Sequence, residues 1–418
     1  MTSSQRRVVM TLGFCGLVSA ADNWFVSPAL PAIAQALSVL PSAAAIILTA
    51  YLIPYGLLQP VCGAIGDAVG RVRLLRIIVM GLSISTFLCA AVSSLPFLIV
   101  ARIITGCFAA GIISVSQALV GDIVSERERG GAVGLLMGIT FTGQGLSAGL
   151  GGIITDLVGW RAAFAAFGIL GIAAWMGLLG LRGLSGKVND PVTAATNATS
   201  IDSGLRDASK PSFPRTNPVA SFLSQAFKTF FGKGRAVFLA ACSTGIIFLG
   251  VYGCMGTFLA ERCGLTSTAA GLLMMFYGVA CLIGGTISGR IGATRGLTYV
   301  IHVGEAAGIA AIATLALTSI TGSWIPALAA AAFLGLGYIL VQPTLVSLSM
   351  DTDPQRTGLC TGLVGLGVFA GGGIGSALGE TIIAANGYLA LWLCAGTALL
   401  LQIILSSKPL SRTSMKRM

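Results

Sequence analysis

Long apolar runs separated by short polar breaks set the pattern of this chain from end to end. Twelve runs of about 20 residues, the length that crosses a hydrocarbon core, fall near 8–34, 42–65, 74–94, 96–120, 131–155, 161–181, 235–260, 267–289, 297–318, 323–348, 358–384 and 387–406. Some breaks are slight: Ser94-Leu95-Pro96 alone divides the third run from the fourth. Over 182–234, by contrast, Pro, Ser, Thr, Asn and charged residues replace Leu and Gly, with six runs on either side. The pattern predicts an all-α polytopic membrane protein with twelve transmembrane helices. It divides into an N-terminal bundle over 1–181, a linker over 182–234, a C-terminal bundle over 235–406 and a basic tail over 407–418.

Composition agrees. Hydrophobic residues make up 55% of the chain and charged residues only 9%, against about 25% charged in soluble domains. The 57 glycines suit helices that approach closely in a bilayer. With the N-terminus in the cytoplasm, 22 of the 25 Lys and Arg residues fall inside; Arg161 and Arg262 fall outside and Arg102 lies within a span. The positive-inside rule therefore predicts both termini inside. It also accounts for the +11 net charge without a nucleic-acid partner. The first run is too long for a signal-peptide core and reads as an uncleaved span. The ten cysteines show no C-x-x-C pairing, which argues against a disulfide framework or a metal site. Asn197-Ala-Thr199 matches a glycosylation acceptor but lies on the cytoplasmic side. Within the linker, Val219, Phe222, Leu223, Ala226, Phe227, Phe230 and Phe231 recur at helical spacing near Lys228 and Lys233. They predict an amphipathic helix, lying on the membrane surface or docking a soluble partner.

The two halves echo each other. Asp122 to Gly131 and Asp351 to Gly358 each carry an acidic helix end followed by Arg and Gly, at a spacing of 227. Gly63-Ala-Ile-Gly66-Asp67-Ala-Val-Gly70-Arg71-Val-Arg73 pairs with Gly285-Thr-Ile-Ser-Gly289-Arg290-Ile-Gly292 at an offset of 222, with Gly289 in place of the acid. The first of these loops resembles the G-x-x-x-D-x-x-G-R-[RK] signature of the major facilitator superfamily, through Gly63, Asp67, Gly70 and Arg71. Arg73 lies one place beyond the second basic position. The resemblance implies two six-helix halves with a substrate site between them.

Further motifs resemble the drug:proton antiporters of that superfamily. Gly134, Gly143, Gly151 and Gly152 match G-x8-G-x3-G-P-x-x-G-G in the fifth span, with Ser147-Ala148 in place of Gly-Pro. They offer either a groove for packing across the domain interface or a plain small-residue face. Asp22 and Leu30-Pro31-Ala-Ile33 follow the first-helix pattern of those exporters. Tyr51 to Pro60 leads into the signature loop as in those exporters, and Arg102-Ile-Ile-Thr-Gly106 resembles R-x-x-Q-G.

A charge in hydrocarbon costs about 2.5–3.5 kcal/mol on insertion scales, so Asp22 and Arg102 need partners. Both fall at comparable depth in the outer half. Arg favours the carboxylate and desolvation the acid, so the pair reads as a proton-coupling switch or as a permanent structural tie. Glu305, one turn from the sole histidine His302, reads as a buried polar contact or a relay. Glu380, near the outer end of the eleventh span, is a gate or an interfacial residue. Asn23, Phe25, Tyr51, Gln144, Tyr252, Tyr338 and Gln342 are expected to line the substrate cavity, an apolar space with a few hydrogen-bonding groups. Asp67, with Gly63, Gly70, Arg71, Arg73 and Asp122, forms either a cytoplasmic latch or a set of helix caps.

The resemblance implies a monomeric, multi-pass transporter of the plasma or bacterial inner membrane that works by alternating access. It would be driven by the proton gradient without a cofactor or metal, and would export small amphipathic or apolar compounds. Uptake symport of an organic acid is the alternative, although D-G-x-D and P-E-S-P-R segments are absent. A receptor or channel lies further off, and no nucleotide loop or nucleophile–His pairing suggests an enzyme.

Overall fold

In a bilayer every backbone N–H and C=O must find its partner within the protein, which leaves helices as the solution for apolar runs of this length. The computed structural model describes residues 1–181, 218–232, 234–353 and 356–414, and these are helical throughout apart from short turns. The first span is Ser3–Trp24 continued by Val26–Ala36, and the second is Pro41–Ala44 with Ile46–Val69. The third to sixth are Arg71–Ala91, Leu95–Ile123, Glu126–Leu157 and Trp160–Leu179. Pro218–Phe230 is the linker helix. The seventh span runs from Arg235–Thr244 through a π-helical turn, Gly245–Leu249, into Gly250–Cys263. Ser267–Arg295, Leu297–Thr321 and Ile325–Met350 follow.

The last helical stretch, Thr357–Ser414, holds a 48-residue apolar segment, Gly358–Leu405. That is about twice the length that a single crossing needs. Gly387 interrupts it at φ 78° and ψ 178°, so it makes two crossings and completes the twelve. Helix continues through Ser414, into the stretch expected to be a tail. The expected linker residues 182–217, with Asn197, and Lys233 lie outside the described residues.

All odd spans run one way and all even spans the other. One face therefore gathers the chain start, the 70–71 turn, the 124–125 turn, the 351–352 turn and the linker helix. This is called the basic face here, and the opposite one the far face.

Backbone geometry corrects the repeat. The turn between the second and third spans is made by Gly70 at φ 91° and that between the eighth and ninth by Gly296 at φ 85°, in the positive-φ region that favours glycine. These turns lie 226 positions apart, not 222. Gly63 and Gly66 then pair with Gly289 and Gly292, Ala293 stands where Asp67 does, and Leu297 where Arg71 does. Matching letters in a glycine-rich stretch misses a register that the turn fixes.

The halves meet along two seams. Second and eleventh spans pack together, with Thr49 Oγ1 donating to the Gly373 carbonyl at 2.9 Å. Fifth and eighth spans pack backbone to backbone in their far halves. A Cβ added at Gly145 would sit 2.4 Å from Gly278 N, at Gly271 2.1 Å from the Ala148 carbonyl oxygen, and at Gly152 2.1 Å from that of Ser267. Toward the basic face the same seam parts, and Gly134 and Gly138 face open space. The far side is tied further: Thr268 N donates to Asp156 Oδ2 at 2.6 Å, and Ser27 Oγ bridges the Gly253 carbonyl (2.9 Å) and Gly256 N (3.2 Å). The conformation is sealed at the far face.

Candidate functional site

Asp22 and Arg102 meet. Arg102 Nη1 lies 2.8 Å from Asp22 Oδ2, and the two side chains are 0% and 1% exposed. Thr86 of the third span donates to the other carboxylate oxygen, Oδ1, at 2.8 Å. Beside the helix interruption at Phe25, Arg102 also reaches the Asp22 carbonyl at 3.3 Å and Asn23 Oδ1 at 3.0 Å. The guanidinium lies 4.4 Å from the centre of the Tyr51 ring, and Tyr51 OH is fixed by donating to the Ser19 carbonyl at 3.0 Å. Aromatic faces stabilise a desolvated cation. Four spans thus hold one ion pair in the far half of the N-terminal bundle. Thr86 and the ring contact carried no signal in the sequence, where a Thr or Tyr in an apolar run is ordinary.

Next to this pair, between the halves, Asn23, Trp24, Tyr51, Tyr55, Gln144 and Phe369 line a gap with room for about one water. No Lys, Arg or His lines it. Asn23 Nδ2 and Gln144 Oε1 are buried here without a hydrogen-bond partner. The aromatic wall continues across the seam. Tyr252 meets Trp24 edge-on at 5.1 Å and Tyr277 at 4.3 Å, and Tyr338 meets Phe141 edge-on at 5.5 Å. Tyr252 OH donates toward the Gln144 carbonyl (3.4 Å), whereas Tyr277 OH, Tyr338 OH and Gln342 Oε1 are buried and unpaired. Tyr277 belongs with this group and was not singled out in the sequence.

Phe25 is placed elsewhere. It stacks on Phe167 at 4.6 Å and meets Phe164 edge-on, within the N-terminal half. Two positions on from Asn23, about 200° around the helix, it points away from the gap that Asn23 and Trp24 line. The motif glycines also divide. Gly152 faces the eighth span, Gly143 and Gly151 take Leu17 and Phe25 of the first span in their own half, and Gly134 touches nothing. Close packing between the halves rests on Gly145, Ala148 and Gly152, of which only Gly152 is a motif position.

Glu305 is tied on both oxygens: Gln402 Nε2 donates to Oε1 at 3.0 Å and His302 Nδ1 lies 3.0 Å from Oε2. Gln402 also reaches Thr244 Oγ1 at 3.3 Å. This buried polar cluster joins the seventh, ninth and twelfth spans and lies away from the cavity. Glu380 is 7% exposed with Oε1 unpaired, near the far end, where Tyr388 OH donates to Glu261 at 2.7 Å. At the basic face Arg71 pairs with Asp122 and donates to the Ala118 carbonyl at 2.6 Å. Gly63 and Gly70 lie at the end of the second span, Arg73 is exposed, and the Asp67 side chain lies outside the described residues.

Two spans' worth of motif at the basic face, a doubled six-helix plan and a seam of close-packed helices have a common source. The model of the Major Facilitator Superfamily matches residues 12–376. The chain belongs to the major facilitator superfamily. It is a transporter by family, not an enzyme. Among similar proteins, the Uncharacterized MFS-type transporter YwfA of Bacillus subtilis is 27% identical over 402 residues, covering 96% of this chain and 90% of that protein. Multidrug resistance protein fnx1 of Schizosaccharomyces pombe is 35% identical over 149 residues, 36% of this chain and 28% of fnx1. Citrate exporter 1 of Aspergillus niger is 28% identical over 170 residues, 39% of this chain and 31% of the exporter. The match thus spans less than a third of the length of the latter two.

Proposed function

We propose that this transporter exports small amphipathic or apolar compounds in exchange for protons, with Asp22 as the proton carrier. The carrying observation is the Asp22–Arg102 pair, buried at the edge of an aromatic gap between the halves. An ionised Asp22 whose partner swings away would be an uncompensated buried charge, which costs several kcal/mol. Taking up a proton removes that cost, so rearrangement around Arg102 and protonation are linked. Such a rearrangement accompanies opening of the far side, because Asp22 and Asn23 lie on the same span as Ser27, which ties the halves there.

Substrate class follows from the lining. The walls are aromatic, with unpaired amide and hydroxyl groups and no cation. Flat, lipophilic compounds with one or two hydrogen-bonding groups suit such walls, and a multiply charged acid does not. The name of fnx1 points the same way, while that of Citrate exporter 1 joins export to an organic acid. With the basic face in the cytoplasm by the positive-inside rule, the sealed far face is the outside and the structure is closed outward. The Arg71–Asp122 pair then sits at the cytoplasmic face as a latch.

Proteoliposomes with an imposed pH gradient test the reading. Lipophilic cations and neutral aromatic compounds should accumulate against their gradients, with counter-movement of protons. Accumulation of organic acids alone, in the direction of proton flow, would favour the symport alternative.

A further inference from the structure

A second feature lies on the lipid-facing side of the N-terminal bundle, independent of the cavity and of the direction of transport. Third, fourth and sixth spans enclose a groove of about 440 Å³ whose walls are Ile77, Met80, Ile84, Phe108 and Trp175, with Arg76 at its head. Its floor is shaped by Gly81: a Cβ there would fall 2.3 Å from the Phe108 ring, so the ring lies directly over the third span's backbone. Ile77 and Ile84 are 54% and 62% exposed. At this depth exposed apolar surface faces acyl chains rather than water.

Arg76 is held in place from one side. Its Nε and Nη2 donate to the Leu178 carbonyl at 3.3 and 3.2 Å, near the basic-face end of the sixth span. Among the described residues no carboxylate pairs with it, and its Nη1 has no hydrogen-bond partner. Arg76 lies five residues from the start of the third span, about 7.5 Å along the helix. A guanidinium at that depth reaches the phosphate level. From Arg76 to Ile84 the groove runs about 12 Å along the helix, most of one leaflet's share of a hydrocarbon core about 30 Å thick.

The repeat supplies an internal comparison. In the register fixed by Gly70 and Gly296, the counterpart of Arg76 is His302. There the basic group meets Glu305 at 3.0 Å. The second half sets a carboxylate beside its basic side chain, whereas the first half, among the described residues, offers Arg76 only a carbonyl.

We propose that the groove is a binding site for an anionic phospholipid, one acyl chain lying along Met80 and Ile84 and the phosphate on Arg76. Charge complementarity selects the headgroup, and the apolar walls require the chain. Basic pockets between spans on the cytoplasmic side are suited to such headgroups.

The test uses the full-length protein in detergent, with thermal unfolding and native mass spectrometry as readouts. Phosphatidylglycerol should bind about fivefold more tightly than phosphatidylcholine of the same chains, the worth of one basic residue at an anionic surface. Arg76→Gln should bring that ratio close to one. Met80→Trp, which fills the groove and leaves Arg76 in place, should weaken phosphatidylglycerol binding. Arg235→Gln, removing a cation of the same face in the other half, should leave the preference unchanged. Equal binding of the two lipids by the wild type would overturn the proposal. So would an undiminished preference in Arg76→Gln, undiminished phosphatidylglycerol binding in Met80→Trp, or equal stabilisation by glycerol 3-phosphate, which has no chain. Should Arg76→Gln fail to fold because the Leu178 contact is lost, Met80→Trp decides alone.

Discussion

Asp22→Asn is expected to abolish accumulation of substrate driven by a pH gradient while leaving substrate exchange between equal pools in place. Asparagine keeps the shape and the contact with Thr86, but it cannot take or release a proton. The variant also strands Arg102, 0% exposed, as a buried charge without its partner. Breaking one side of a buried pair costs about 3–5 kcal/mol, so a fall in thermal stability should accompany the loss of coupling. The double variant Asp22→Asn/Arg102→Gln separates the two effects. Its site is neutral, with amides able to bond to each other and to Thr86, and stability should recover. Coupling should not. Restored gradient-driven transport in the double variant would mean that the pair is only a structural tie. Purified protein, reconstituted and assayed for both modes of transport beside its melting temperature, gives the comparison.

Gly271→Val is expected to open the far face. The added Cβ would sit 2.1 Å from the Ala148 carbonyl oxygen and 3.3 Å from Gly149 Cα. Both are backbone, so no rotamer change relieves the clash. Overpacking of this kind costs about 1–3 kcal/mol. Here only the conformation with the far seam closed bears the cost, which converts to a population shift of about 5–150-fold. Transport should fall because the cycle passes through the sealed state. A cysteine at Ser267, on the far-end approach to the seam, should become more reactive to a membrane-impermeant thiol reagent, while binding affinity for a substrate presented from the far side is kept. Gly285→Val, on the parted stretch of the same helix, serves as the control: the nearest atom to its Cβ is a side-chain carbon at 3.8 Å, and neither readout should move.

Much of the architecture was legible because a bilayer leaves few choices. Runs of about 20 apolar residues must be helices, and the observed spans follow the expected ones, with helix continuing past the expected ends to Glu126 and Ser414. The Asp22–Arg102 pair was legible for the same reason: each charge is costly alone, and antiparallel spans bring the two to one depth. What the sequence hid are contacts made by residue types that also occur as filler. Thr86, Tyr51 over the guanidinium and Tyr277 in the aromatic wall are of this kind. Phe25 was grouped with Asn23 by nearness in sequence, yet residues two apart on a helix face different ways, and Phe25 packs on Phe164 and Phe167. Gln402 could not be paired with Glu305 from spacing, since 97 positions separate them. Motif glycines were visible as letters, yet the letters do not say which neighbour each one admits. Gly152 admits the other half, while Gly143 and Gly151 admit the first span.

Proton release from the purified transporter bears most directly on the role of Asp22. Substrate is added to wild-type protein in weakly buffered detergent solution, and the pH change is followed with an indicator dye across a series of starting pH values. Exchange of substrate for a proton at Asp22 requires close to one proton released per substrate bound, and none from Asp22→Asn under conditions where that variant still binds substrate. Equal release from the two proteins, or binding by the wild type with no release at any pH, would contradict it.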